Sequence, residues 1–266
     1  MSARTERSPL SPALSLPPVL SPPSVPSPPR RSPRRCRLIL ASRSPRRAEL
    51  LRMSGYDTEV VPASESAEPA PIPGETAISL VRRAAVAKAT DVVGRLAPDG
   101  PTDEDLHTDV PRIVVGCDTV ATLNGEILGK PADRADARRI LRKLSGSEHE
   151  CVSGLCVWNL TTDCERLECE RTVLRMARLT DAQIESYLDS GLWEGKAGAY
   201  GLQDGVDWAE VVEGSESNVV GLPLELLEEL LEVVAPIPAD RTEPESPAGS
   251  PVGDAPVPGD RRDPSA

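Results

Sequence analysis

Residues 37–53 read RLILASRSPRRAELLRM, and this run decides the fold class. Residues 37–41 form a short apolar stretch suited to a buried strand. Ser44 then stands as an N-cap with Pro45 at the first helical position, and Leu50, Leu51 and Met53 supply an apolar face that ends before Gly55. A buried strand turning directly into a capped helix is the repeating unit of an α/β sheet. The connection, Ser42-Arg43-Ser44-Pro45-Arg46-Arg47, puts arginines in a helix first turn, where each opposes the helix dipole by about 0.3–1 kcal/mol unless an anion compensates. Unpaired N–H groups at the same turn favour phosphate. A capped helix with a solvated basic turn is the competing reading of this hexapeptide.

Working outward, residues 58–62 suggest a second strand, 63–74 a loop and 75–96 a long helix rich in Ala and Val. An acidic, Pro-rich insertion at 97–111 precedes a further apolar strand at 112–116, after which Cys117-Asp118-Thr119 reads as a loop. Asn124-Gly125 tolerates positive φ at both positions and predicts a hairpin between residues 120–123 and 126–128. Asp133 caps a helix running to Leu144, and residues 149–160 and 167–177 bracket a Thr-Thr-Asp turn. Thr180 and Gln183 have the capping-box spacing, residues 206–212 suggest a strand, and 222–234 an amphipathic helix. The inventory is α/β with a mixed sheet flanked by helices.

The ends differ from this body. Residues 1–36 and 235–266 are rich in Ser-Pro and Pro-Pro steps with too little apolar surface to offset ordering entropy, so both are expected to be disordered tails. Prolines interrupt the apolar residues near the N-terminus, which argues against a secretory signal and for a cytoplasmic protein. No run is long enough to span a membrane. The chain carries a net charge of −12, while residues 1–36 hold six arginines against Glu6, so the body is the acidic part. An acidic body does not bind nucleic acid through its general field; a polyanionic ligand needs a local basic pocket or metal ions. Six cysteines contain no C-x-x-C pair, which disfavours structural zinc and leaves reduced thiols. His107 falls in the insertion and His149 opens a strand, each expected at the surface or half-buried.

Phosphate loops, dinucleotide fingerprints, nucleophile elbows and H-E-x-x-H zinc helices are all absent. Carboxylates, lysines and arginines must carry the chemistry. Asp118 follows an apolar strand, where open α/β sheets place ligands, and could hold Mg²⁺ or activate water; an Asx-turn Asp is its alternative. Lys130 sits on a rigid loop after the hairpin, suited to a phosphate oxygen or to solvent. The glycine-rich run 195–203 and the stretch 213–224 permit close backbone approach and offer Lys196, Gln203, Ser217 and Asn218 as polar handles.

In order and spacing, Leu38-Ile39-Leu40-Ala41-Ser42 with Ser44-Pro45-Arg46-Arg47, Gly116 with Asp118-Thr119-Val120, Leu128-Gly129-Lys130-Pro131, and Lys196-Ala197-Gly198-Ala199-Tyr200-Gly201 with Ser217-Asn218-Val219-Val220-Gly221-Leu222-Pro223 resemble the Maf family of nucleotide pyrophosphatases. The resemblance covers residues 37–234. It implies a Maf/ITPase-like fold, a mixed sheet with helices in two lobes around a central cleft. It also implies hydrolysis of a nucleoside triphosphate to monophosphate and pyrophosphate with a divalent cation, Mg²⁺ or Mn²⁺. Asp118 matches the family's proton-accepting Asp; Ser42, Arg46, Arg47, Lys88, Thr119, Lys130, Lys196 and Gln203 fall at substrate-binding positions. Lys88 enters through Val81-Arg82-Arg83-Ala84-Ala85-Val86-Ala87-Lys88-Ala89, which matches the family's second helix. Arg46, Thr119 and Gln203 match its specificity positions and look like the dTTP/UTP type.

Three departures stand out. Where the family commonly has an Asp-Glu pair after its second strand, this chain has Ala63-Ser64-Glu65-Ser66-Ala67-Glu68, so Glu65 or Glu68 is expected to join Asp118 at the metal. Glu216 replaces an aromatic before the Ser-Asn pair, and the 97–111 insertion has no counterpart. The alternative to an enzyme is a Maf-like protein that binds nucleotide or partners in division control without turnover. Homodimerisation is the expectation by base rate.

Overall fold

The computed structural model describes residues 36–70, 72–98, 100 and 110–236. Apart from their borders, the expected tails and the centre of the acidic insertion lie outside the described residues. Strand β1 (Arg37–Leu40) lies parallel to β2 (Asp57–Val60) and to β3 (Arg112–Leu123). Strands β3, β5 (Glu148–Asn159), β6 (Cys164–Met176) and β7 (Ala209–Glu213) then run antiparallel in succession. The seven-stranded sheet has the order β2-β1-β3-β5-β6-β7, with β4 (Glu126–Leu128) folded back on β3. Asn124 and Gly125 have φ of 52° and 81°, as that tight hairpin requires.

Side-chain alternation divides the core. Leu38, Leu40, Ile113, Val115, Cys117, Leu155 and Val157 point to one face and pack with helices α1 (Pro45–Met53) and α6 (Leu224–Val234). Ile39, Val114 and Cys156 point to the other and meet Ala85, Ala89 and Val92 of α2 (Ala77–Leu96). A further cluster joins Ala121 and Leu174 to α3 (Arg134–Leu144) and α4 (Asp181–Asp189). In the absence of any Phe, this core is almost entirely aliphatic.

One expectation needs correction. Strand β3 does not end at Gly116; it continues through Asp118 to Leu123 because β5 supplies an unbroken antiparallel partner from Asn159 back to Glu150. Local turn chemistry at Cys117-Asp118-Thr119 loses to that ladder. Before the last helix, the 213–224 stretch packs: α5 (Glu216–Val220) forms on Ser215, whose side chain accepts from the Asn218 N–H, and ends at Gly221 with φ 129°. Small residues then position α2. At Gly116 an added Cβ would overlap the Ala85 carbonyl oxygen, and at Gly154 it would overlap that of Val81, so α2 lies directly on the sheet only because both positions lack one.

Candidate functional site

Strand β3 has different neighbours along its outer edge. Pairing with β1 stops at Val115, and pairing with β4 begins at Ala121, leaving the edge between them open. A cleft of about 380 Å³ occupies this gap, between the α1/α6 core and the α3/α4 core. Asp118 faces the α2 side, and Gly154 lies directly opposite it on β5. The close seat of α2 brings Lys88 over this point: its ammonium lies 2.6 Å from Asp118 Oδ1 and 3.3 Å from Glu68 Oε1. Lys88 is buried, and its charge, ahead of the opposing effect of burial, holds the Glu68 carboxyl below the usual range.

On the other face, Ser42 and α1 form the wall. Ser44 occupies the N-cap, but its side chain makes no capping bond; Ser42 Oγ instead accepts from the Ser44 N–H at 3.2 Å. The α1 first turn therefore meets the cleft without a side-chain cap. Arg47 is buried and spends most of its donors on protein: Nε reaches Gly221 O at 2.7 Å, Nη1 reaches Ser42 Oγ and Cys117 O, and Nη2 reaches Thr119 Oγ1 at 3.1 Å. It ties α1, β3 and the end of α5 together without a carboxylate partner among the described residues. Arg46 and Lys130 also line the cleft, and neither has a hydrogen-bond or ion-pair partner among the described residues. Burial and then neighbouring Arg47 lower the Arg46 pKa, so its cation stands where an anion would relieve it.

The third wall is the segment from Gly195 to Asp204. Gln203 is exposed on it, and Lys196 donates to Asp204. Asp204 was not among the residues singled out from sequence; an acid immediately after Gln203, eight residues from Lys196, is the signal that points to it. His149 is not at the surface: it is 3% exposed, with Nε2 2.7 Å from the Tyr200 hydroxyl. Thr119 Oγ1 is held against Ser153 Oγ at 2.7 Å. Ser217 and Asn218 serve packing. Asn218 Nδ2 donates to Cys151 O and Thr172 Oγ1, and Ser217 Oγ accepts from the Leu224 N–H.

The structure thus brings Ser42, Arg46, Arg47, Glu68, Lys88, Asp118, Thr119, Lys130, Lys196 and Gln203 to one cleft, and leaves Glu65 outside its lining. Glu65 is exposed and pairs with Arg43 at 3.0 Å. The lining holds six cations and four carboxylates, a local basic pocket in a chain of net charge −12. No group of three or more His, Cys, Asp or Glu side chains forms a metal cage among the described residues. Two carboxylates meeting at one point do fit a hard cation that takes its remaining oxygens from water and substrate phosphates. Cysteine chemistry is disfavoured: none of the six cysteines is in a disulfide, and burial pushes Cys151, in the cleft lining, up to about 12. No described helix is long and apolar enough to cross a membrane.

The chain is 48% identical over 202 residues to a protein of Rhodopirellula baltica named dTTP/UTP pyrophosphatase, covering 76% of this chain and 83% of that one. It is 40% identical over 188 residues to a protein of the same name from Citrifermentans bemidjiense, covering 70% and 90%. Among solved structures it is similar to a HAM1 protein from Coxiella burnetii, with 16% identity and a TM-score of 0.40 over 74% of this chain and 99% of that one. The model for Maf-like proteins matches residues 37–234, the whole body that carries the sheet and the cleft, and the chain belongs to that family.

Proposed function

We propose that this protein hydrolyses pyrimidine nucleoside triphosphates of the dTTP/UTP type to the monophosphate and pyrophosphate. The observation that carries the reading is the convergence of Asp118 with Arg46 and Lys130, which have no hydrogen-bond or ion-pair partner among the described residues, in a basic cleft on an acidic protein. Relatives named dTTP/UTP pyrophosphatase support the substrate class.

In this reading the α1 first turn, Arg46 and Lys130 hold the phosphate chain and offset the charge that builds on the leaving pyrophosphate. Asp118 Oδ1 is held by Lys88, which leaves Oδ2 to accept a proton from the water that attacks the α-phosphorus. The P–O bond to the β-phosphate breaks as the new P–O bond forms, and no covalent enzyme intermediate is needed. Arg47 keeps Thr119 and the Gly221 carbonyl in place rather than serving chiefly as a phosphate ligand. Asp118 and Glu68 would hold Mg²⁺ or Mn²⁺, which supplies charge neutralisation and orientation of phosphate oxygens when bound. Arg46, Thr119 and Gln203 line the cleft as specificity residues. Six cysteines without a disulfide accord with a cytoplasmic setting, and a homodimer is the assembly we infer.

Pyrophosphate release from dTTP, UTP, CTP, 7-methyl-GTP, dATP and GTP, with Mg²⁺ or Mn²⁺ and an EDTA control, tests the proposal. Metal-dependent release favouring dTTP and UTP is expected. No release from any nucleotide by folded protein would sink it in favour of a binding protein.

A further inference from the structure

Lys196 enters the cleft already paired. Its ammonium donates to Asp204 Oδ1, and the two side chains are 12% and 7% exposed. Asp204 Oδ2 accepts from the Gly201 N–H at 2.8 Å and from the Tyr187 hydroxyl. Burial, and then the bond to Asp204, push the Tyr187 pKa up, so this phenol stays a donor. One carboxylate therefore gathers a side chain before the loop, a backbone N–H within it and a residue of α4 behind it.

The loop so closed is under strain. Gly198 and Ala199 both have positive φ, 73° and 62°, which glycine adopts freely but which strains Ala199. Tyr200 is tied at the same time to His149 of β5. A Cβ at Gly201 would stand 3.1 Å from both Asp204 oxygens and from Lys196 Nζ, so a larger residue there would crowd the latch. Gln203, the residue next to the latch, lines the cleft, and the negative charge of Asp204 supports the Arg46 cation against its burial.

We propose that Asp204 is a positioning residue of the cleft: its carboxylate latches the 196–204 loop and sets Lys196 and Gln203 where they meet the nucleotide. The proposal rests on the pyrophosphatase reading. With the Lys196 charge answered by Asp204, this wall suits the uncharged nucleoside, while Arg46 and Lys130 remain for phosphate. Loss of the latch then weakens nucleotide binding and leaves the proton transfer at Asp118 in place.

The test uses the full chain and its variants Asp204→Asn, Asp204→Glu, Lys196→Met and the double variant Asp204→Asn/Lys196→Met, with folding checked by near-UV circular dichroism. Asp204→Asn is expected to raise KM for dTTP roughly 10- to 100-fold with kcat little changed. Lys196→Met should do the same, the double variant should be no worse than the poorer single one, and Asp204→Glu should recover part of the loss. A folded Asp204→Asn with the parent's KM, or single effects that multiply in the double variant, would overturn the latch. If Asp204→Asn does not fold, Lys196→Met and Tyr187→Phe decide: raised KM in both upholds the proposal, and parental KM in both refutes it. If the parent releases no pyrophosphate from any nucleotide, the pyrophosphatase reading fails on its own. Calorimetric Kd values for dTTP then judge the latch, which stands if Asp204→Asn weakens binding and falls if binding is unchanged or absent in the parent.

Discussion

Two walls of the cleft, the α1/β3 side and the 195–204 segment, treat their cations differently. On the α1 and β3 side, Arg46 and Lys130 have no partner among the described residues, buried Arg47 has no carboxylate, and Lys88 serves two acids at once. On the loop side, Lys196 is matched by Asp204 and held nearly out of solvent. The first wall is charged and waiting; the second is neutralised and fixed. A positive side chain near phosphate is thus no sufficient sign of a phosphate ligand, because what matters is whether the fold has already supplied its counterion.

Asp118→Asn breaks the first wall most severely. Turnover should fall by about 10²-fold or more, with the melting temperature close to that of the parent. Measured kcat near the parental value would remove Asp118 from the chemistry. Gly154→Ala attacks the same wall through its support. The new Cβ would overlap the Val81 carbonyl, force α2 from the sheet and carry Lys88 away from Asp118. A stability loss of about 3 kcal/mol is expected by chemical denaturation, together with reduced turnover. A variant as stable and active as the parent would show that α2 need not lie so close.

These two walls were also unequally legible in the sequence. Ser44-Pro45, Asn124-Gly125, Asp133 and Thr180/Gln183 act within a few residues, and the turns and helix starts they predict are present. Arg46 and Arg47 could be picked out because basic residues at a helix start conflict with its dipole, whereas Lys88, in mid-helix, entered only through the family resemblance. The course of β3 past Gly116 could not, since its partner lies some forty residues downstream and overrides the local turn signal of Cys117-Asp118-Thr119. Lys196 was legible as a cation, but its pairing depends on the folded path that brings Asp204 back beneath it. Glu65 and Glu68 were equivalent as letters three apart; only the turn at Glu65–Ala67 separates them, sending Glu65 to Arg43 and Glu68 to Lys88.

The smallest expected effect sharpens the account of the second wall. His149 lies under the loop, bonded to Tyr200, and burial lowers its pKa from 6.5 to about 4. The unfolded chain therefore takes up this proton first as pH falls. The stability gained by keeping His149 neutral is complete above about pH 6.5 and drains away as pH drops toward 4, reaching a loss of about 2 kcal/mol at pH 5. His149→Gln retains a polar group for Tyr200 and cannot titrate. Denaturation midpoints at pH 7 and pH 5 should then differ less in this variant than in the parent, by that amount. Equal acid sensitivity in both would mean that His149 titrates alike in the folded and unfolded chain, and that its burial adds nothing to the pH dependence of stability. A reduced sensitivity would instead establish that the second wall, unlike the first, is fastened by neutral groups as well as by a charge pair.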